Sequence, residues 1–197
     1  MKKILKVSLI LAGVLAAMNV SAGEIDFSLN VKKEQGKTVT FVLNDINKID
    51  LSIYDANEKL IHTEKVTSNG TINRTYDLNA LPEGTYFLDA ESEMKIARYE
   101  ISVVGKTATL TSKAISEVYK PVFLNKNGLV SISVLNLDKS PVSIKIYTED
   151  GTEVYATTVL QEQNVAKFFD IKNFPNDKYA FIMTYDNKVF EKIAAAK

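Results

Sequence analysis

Leu51-Ser52-Ile53-Tyr54-Asp55, followed downstream by Asp77-Leu78-Asn79-Ala80-Leu81-Pro82-Glu83-Gly84-Thr85-Tyr86-Phe87-Leu88, decides how this chain is built, because both stretches return. The second occurrence reads Ile144-Lys145-Ile146-Tyr147-Thr148, then Asp170-Ile171-Lys172-Asn173-Phe174-Pro175-Asn176-Asp177-Lys178-Tyr179-Ala180-Phe181. Ile53 and Ile146, Asp77 and Asp170, Pro82 and Pro175, and Tyr86 and Tyr179 all lie 93 positions apart. That period exceeds the roughly 20–50 residues of a solenoid unit and fits one domain duplicated.

Working outward, the pattern is a period of two. Ile25, Phe27, Leu29 and Val31 alternate with polar residues, as do Ile49, Leu51 and Ile53. Alternation of this kind marks a strand with one buried face. Glu34-Gln35-Gly36-Lys37, Asp45-Ile46-Asn47-Lys48, Asp55-Ala56-Asn57-Glu58 and Ser68-Asn69-Gly70 punctuate the strands with turn residues. Tyr86, Leu88 and Ala90, then Ala97, Tyr99, Ile101 and Val103, are expected inside. Seven short strands per copy at about 8–12-residue spacing predict an all-β chain of two tandem immunoglobulin-like antiparallel β-sandwich domains. The expected boundaries are 23–104 for the first sandwich, 105–116 for a small, polar linker with room for a strand at its start, and 117–197 for the second. Val118 to Phe123 reads as the first strand of the second copy, with Pro121 placing it at a sheet edge.

Residues 1–22 read as a cleaved signal peptide. Lys2, Lys3 and Lys6 precede an apolar run from Val7 to Met18 that only Ser8 interrupts. Val20-Ser21-Ala22 puts small residues where a signal peptidase needs them, before Gly23. The run falls short of the about 20 residues that span a bilayer. No second apolar run follows, so no transmembrane segment is expected in the mature chain. Without residues 1–22 the 24 acids face 21 bases, a balance that gives no electrostatic case for nucleic acid. The chain has no Cys, which removes disulfides, thiolate metal sites and thiol catalysis.

No residue set points to chemistry. Gly36-Lys37-Thr38 and Gly105-Lys106-Thr107 lack the upstream glycine of a phosphate loop, with Val31 and Glu100 in its place. His62 is the only imidazole and has Glu64 beside it, which is too few ligands for a metal and no nucleophile pair. Asp89, Glu91 and Glu93 share an outward strand face that could carry a cation, but Arg98 and Lys95 on the returning strand read as their partners. Asp55, Asn57, Glu149 and Asp150 read as turn chemistry. Tyr54, Tyr147, Tyr86 and Tyr179 read as core, the last two capping a sandwich corner. No catalytic, cofactor-binding or metal residue is therefore expected.

The segment Leu51-Ser52-Ile53-Tyr54-Asp55, Asn57-Glu58-Lys59-Leu60 and Asp77 through Leu88 resembles the C-terminal sorting domains of the type IX (Por) bacterial secretion system. The resemblance implies a small β-sandwich, a Gram-negative exporter and a periplasmic, cell-surface or secreted destination. The leading expectation is an exported, non-catalytic binding or structural protein, with a protein or cell-envelope component as partner. The alternative is a type IX secretion substrate or accessory, and the least favoured is a secreted carbohydrate-active hydrolase. Function is expected where the copies differ, at His62/Tyr155, Asp89/Ile182, Glu91/Thr184 and the junction 105–116.

Overall fold

The computed structural model describes residues 27–157 and 159–196, and the expected signal peptide lies outside them. In the first half, β1 (Ser28–Gln35), β2 (Thr38–Asn44) and β5 (Thr71–Asp77) form one sheet. The sheet facing it runs β4 (Leu60–Thr67), β3 (Lys48–Asp55), β6 (Gly84–Glu91) and β7 (Lys95–Val104). The second half repeats the order: β10 (Val122–Lys126), β11 (Leu129–Leu135) and β14 (Asn164–Asp170) oppose β13 (Glu153–Ala156), β12 (Ser143–Thr148), β15 (Lys178–Tyr185) and β16 (Lys188–Ala195). All pairings are antiparallel, and the strand order is that of an immunoglobulin-like sandwich.

The alternation sets the cores. Phe41, Leu43, Leu51, Ile53, Leu88, Tyr99 and Ile101 fill the first, and Ile132, Ile144, Ile146, Tyr179, Phe181 and Met183 the second. Each fully buried aliphatic side chain contributes about 1.5–3 kcal/mol relative to exposure. The duplication holds in register. Thr75 faces Thr40 as Phe168 faces Ser131, so β5 and β14 are offset by 93 residues but β2 and β11 by 91. An even shift leaves every side chain on its original face. The longer connection from β11 to β12 takes up the difference, and the buried Asn136 amide braces it, donating to the Ser140 and Glu162 carbonyls at 2.8 and 3.1 Å.

The junction departs from expectation. Residues 105–116, expected as a linker with room for a strand at its start, contain the whole of β8 (Thr107–Leu110), which pairs with β7 and sends Ala108 and Leu110 into the first core. The expected strand from Val118 to Phe123 is split. Its beginning lies in β9 (Ser116–Tyr119), which also pairs with β7; its end lies in β10, which joins the second sheet. Pro121 explains the break: it has no N–H to donate and restricts Lys120 before it. Val118 nonetheless packs into the second core, so β9 belongs by backbone to the first sandwich and by its Val118 side chain to the second.

Candidate functional site

Asp89 and Arg98 stand directly opposite each other on β6 and β7. Two hydrogen bonds from the Arg98 guanidinium, at 2.7 and 2.9 Å, reach the Asp89 carboxylate, and two more reach Glu58 at 2.6 and 3.0 Å. A strand position that ordinarily faces water is thus covered, and Asp89 is only 6 % exposed. The carboxylates hold Arg98 above its ordinary range, Asp89 foremost; hydrogen bonding from Arg98 lowers Glu58, with Lys188 of the second sandwich adding to the effect. Glu91 pairs with Lys120 at 2.6 Å.

Lys95, expected beside Arg98 as a partner of the acidic row, turns the other way. Its odd-numbered position puts it on the inner face with Ala97 and Tyr99, where it pairs with Glu117 at 2.7 Å and lies 4.8 Å over the Phe27 ring. Among the described residues no three His, Cys, Asp or Glu side chains group as a metal site.

Asp89 and Glu91 open onto a cleft of about 410 Å³ between the sandwiches. Tyr54, Glu93 and Ile96 extend its wall on the first sandwich, and consecutive residues of β16 from Lys188 to Lys192 form the facing wall. A second cleft of similar size adjoins it around Arg98, Ser116 and the Asp186-Asn187 turn. The Tyr185 hydroxyl donates to the Tyr119 carbonyl and ties that turn to β9. The structure therefore gathers Asp89, Glu91 and the end of the junction in one place. The β16 wall had no sequence signal of its own, because no local motif reports which strand edge stays open.

His62 lies elsewhere, exposed on β4, with its ring edge-on to Tyr76 at 5.7 Å. Glu64 beside it accepts from Arg74 at 3.1 Å and from the Tyr76 hydroxyl at 2.8 Å, bridging β4 to β5 across the open side of the sandwich. The second copy closes the same side with Tyr155 and Phe169, rings 5.0 Å apart. Burial, reinforced by Glu64, raises the Tyr76 hydroxyl far above the ordinary tyrosine value.

The turn carboxylates satisfy backbone. Asp55 accepts from the Asn57 and Lys59 N–H groups at 2.8 and 2.9 Å, and Asp150 from Thr152 at 3.2 Å. Tyr86 donates to the Pro82 carbonyl at 2.9 Å, and the Tyr179 oxygen accepts from the Asn176 N–H at 3.1 Å, so both cap their corners. Tyr54 and Tyr147, expected in the core, lie half-buried on the outer face. Strand parity requires this, since each follows a core isoleucine. Tyr54 sits under Arg98, and Tyr147 donates to Glu153 at 2.9 Å.

Residues 26–104 match the family model described as the secretion system C-terminal sorting domain. The match covers β1 to β7 of the first sandwich and contains the Leu51–Leu88 segment that carries the resemblance. Among solved structures, the BSP domain of a biofilm-associated protein is similar at 12% identity over 84% of this chain, with a TM-score of 0.27; this chain spans 29% of that one. Native alpha-2-macroglobulin from Escherichia coli, domains NIE-MG1, is similar at 12% identity over 87% of this chain and 98% of that one, with a TM-score of 0.26. The chicken CNTN1 FN1–FN3 domains give 10% identity over 88% of this chain and 66% of theirs, with a TM-score of 0.28. The comparison with curated proteins gives no match. No helix among the described residues is long and apolar enough to cross a membrane.

Proposed function

We propose that the protein is an exported, non-catalytic component related to type IX secretion, either carried by that system or serving it. The observation behind this reading is the sorting-domain match over residues 26–104. The signal-peptide pattern of residues 1–22 supplies the first step, passage across the inner membrane. The sandwich then acts as a rigid scaffold with recognition on loops and sheet edges, as such modules commonly do. The residue chemistry is in keeping with the non-catalytic part: of the carboxylates that line the clefts, Asp89, Glu58 and Glu91 are each engaged by an arginine or lysine, and Glu93 and Glu191 line the first cleft without an ion pair among the described residues.

The test is location. The full chain, expressed in a Gram-negative host that has the type IX system, is expected at the cell surface or in the medium, and to stall in the periplasm when that system is inactivated. Unchanged location in the inactivated strain rejects the reading. The binding or structural role without a sorting connection is the second reading, supported by the engaged carboxylates and by the cleft between the sandwiches.

A further inference from the structure

β16 ends its sheet, and its outer edge has no strand partner among the described residues. The backbone direction of that edge is fixed by two bonds. The Ala195 carbonyl points outward and accepts the Asn125 side-chain amide at 2.8 Å. The Ala196 N–H points back and donates to Asp177 at 2.8 Å. Residues two apart on a strand present their N–H and C=O to the same edge. Val189, Glu191 and Ile193 therefore aim their backbone groups outward, as Ala195 does.

The first sandwich shows what such an edge takes. Its counterpart strand, β7, pairs along Lys95–Arg98 with β9, Lys95 opposite Tyr119 and Arg98 opposite Ser116. The Arg98 and Glu100 carbonyls accept the Ile115 and Thr111 N–H groups at 2.8 and 2.9 Å. Lys188–Glu191 are the counterparts of Lys95–Arg98 in the 93-residue repeat, and among the described residues no strand fills the equivalent place beside them. The cleft does reach it. Residues of both parities from Lys188 to Lys192 line that cleft, so it meets the strand along its edge rather than on a face.

Side chains select the occupant. On the outward face Val189 is 66 % and Ile193 67 % exposed. Glu191 lies between them and makes no ion pair among the described residues. Directly opposed cross-strand residues favour apolar with apolar and opposite charges together, each pair contributing about 0.2–1 kcal/mol. We propose that the outer edge of β16 binds an extended segment of a partner protein by antiparallel strand addition, the segment carrying lysine or arginine opposite Glu191 and apolar residues two positions to either side. This goes beyond the secretion reading and does not depend on it. Self-pairing through the middle of the exposed row would set Glu191 against Glu191, which guards the edge against a second copy while leaving it open to a basic strand.

The probe is a fluorescein-labelled, amidated peptide, Thr-Val-Thr-Lys-Thr-Ile-Thr, titrated into the full chain and followed by anisotropy. Saturable binding is expected, weakened about tenfold when the peptide lysine becomes glutamate and inverted in preference by Glu191→Lys. Glu191→Pro removes only an outward N–H, a position where an edge strand tolerates proline. It is expected to abolish binding while the far-ultraviolet circular dichroism stays unchanged. No binding at millimolar peptide overturns the proposal, as does binding indifferent to both Glu191 changes. A dimer that disappears with Glu191→Pro also overturns it, by assigning the edge to a second copy.

Discussion

β7 and β16 occupy the same place in two copies of one sandwich and meet different fates. β7 is paired on both sides, by β6 and by β8 with β9; among the described residues β16 is paired by β15 alone. The side chains follow the backbone. Arg98 on β7 faces Asp89 and is held by two carboxylates, whereas its counterpart Glu191 faces Ile182. A duplicated scaffold thus gave one closed and one open sheet edge, and the closing segment is the junction that joins the copies. The lesson is that a connection between domains can be part of a core: Ala108 is 1 % exposed and Leu110 6 %.

The turn that closes each sandwich offers the strongest way to break this comparison. Gly36, in the β1–β2 turn, has φ +60° and gives its carbonyl to the Ala108 N–H at 2.8 Å, so β8 stands between the turn and β7. Gly128, in the β10–β11 turn, has φ +77° and no such intermediary. A methyl group there would lie 2.5 Å from the Ala196 carbonyl oxygen and 2.7 Å from the Lys172 side chain, against 3.6 Å for the nearest atom at Gly36. Both alanine variants incur the left-handed strain of about 1 kcal/mol. Gly128→Ala adds a backbone clash, for a total of about 3–4 kcal/mol. Hydrogen exchange at core amides, read separately for each sandwich, should show the second sandwich loosened by Gly128→Ala far more than the first by Gly36→Ala. Equal losses would mean that residues 195–196 do not seal the second sandwich.

How legible this was depends on the range of the interaction. Period-two alternation reports burial face directly, so Leu51, Ile53, Tyr86, Leu88 and Tyr99 could be placed from sequence alone, and the turn roles of Asp55 and Asp150 followed from their neighbours. Tyr54 was misplaced although parity with Ile53 already assigned it outward; its recurrence at Tyr147 drew it into the core. β8 is four residues of Thr-Ala-Thr-Leu, enough to leave room for a strand at the start of the junction but too short and too small in side chain to report its place in the first core. The cleft was legible only in halves. Asp89 and Glu91 stand out because the copies differ there, but Glu58, 40 residues from Arg98, is brought in by the β3–β4 turn, and the β16 edge is defined by the lack of a neighbouring strand among the described residues.

The charged counterparts give the next effect. Arg98→Ala leaves the Asp89 carboxylate buried without its principal cation, which costs about 3 kcal/mol. Glu191→Ala removes an exposed carboxylate with no ion pair among the described residues and should stay within about 0.5 kcal/mol. Urea denaturation of the two variants checks this. Similar losses would show that β16 is held by its side chains as β7 is, and would remove the contrast on which the open edge rests.

The smallest effect is one of pH. In each sandwich a tyrosine hydroxyl is raised chiefly by burial: Tyr76 in the first, with Glu64 adding to it, and Tyr185 in the second, with Asp186 adding to it. An unfolded tyrosine ionises near about pH 10. Above that pH the unfolded chain releases a proton that the folded chain keeps, so stability falls as pH rises, by at most about 1.4 kcal/mol per pH unit for each group. Below pH about 10 both states keep the proton and neither group makes stability depend on pH. Tyr76→Phe should therefore flatten the alkaline loss of the first sandwich only, and Tyr185→Phe that of the second only, as read by hydrogen exchange at core amides between about pH 9 and 11 after correction for intrinsic rates. The two are not equivalent at neutral pH. Tyr76→Phe removes a bond to Glu64 inside one sandwich, at about 1 kcal/mol. Tyr185→Phe removes the bond to the Tyr119 carbonyl, which joins the second sandwich to β9. If Tyr185→Phe left the first sandwich's β9 amides as protected as before while loosening only the second, β9 would be held by β7 alone, and the closed edge would owe nothing to the domain that follows it.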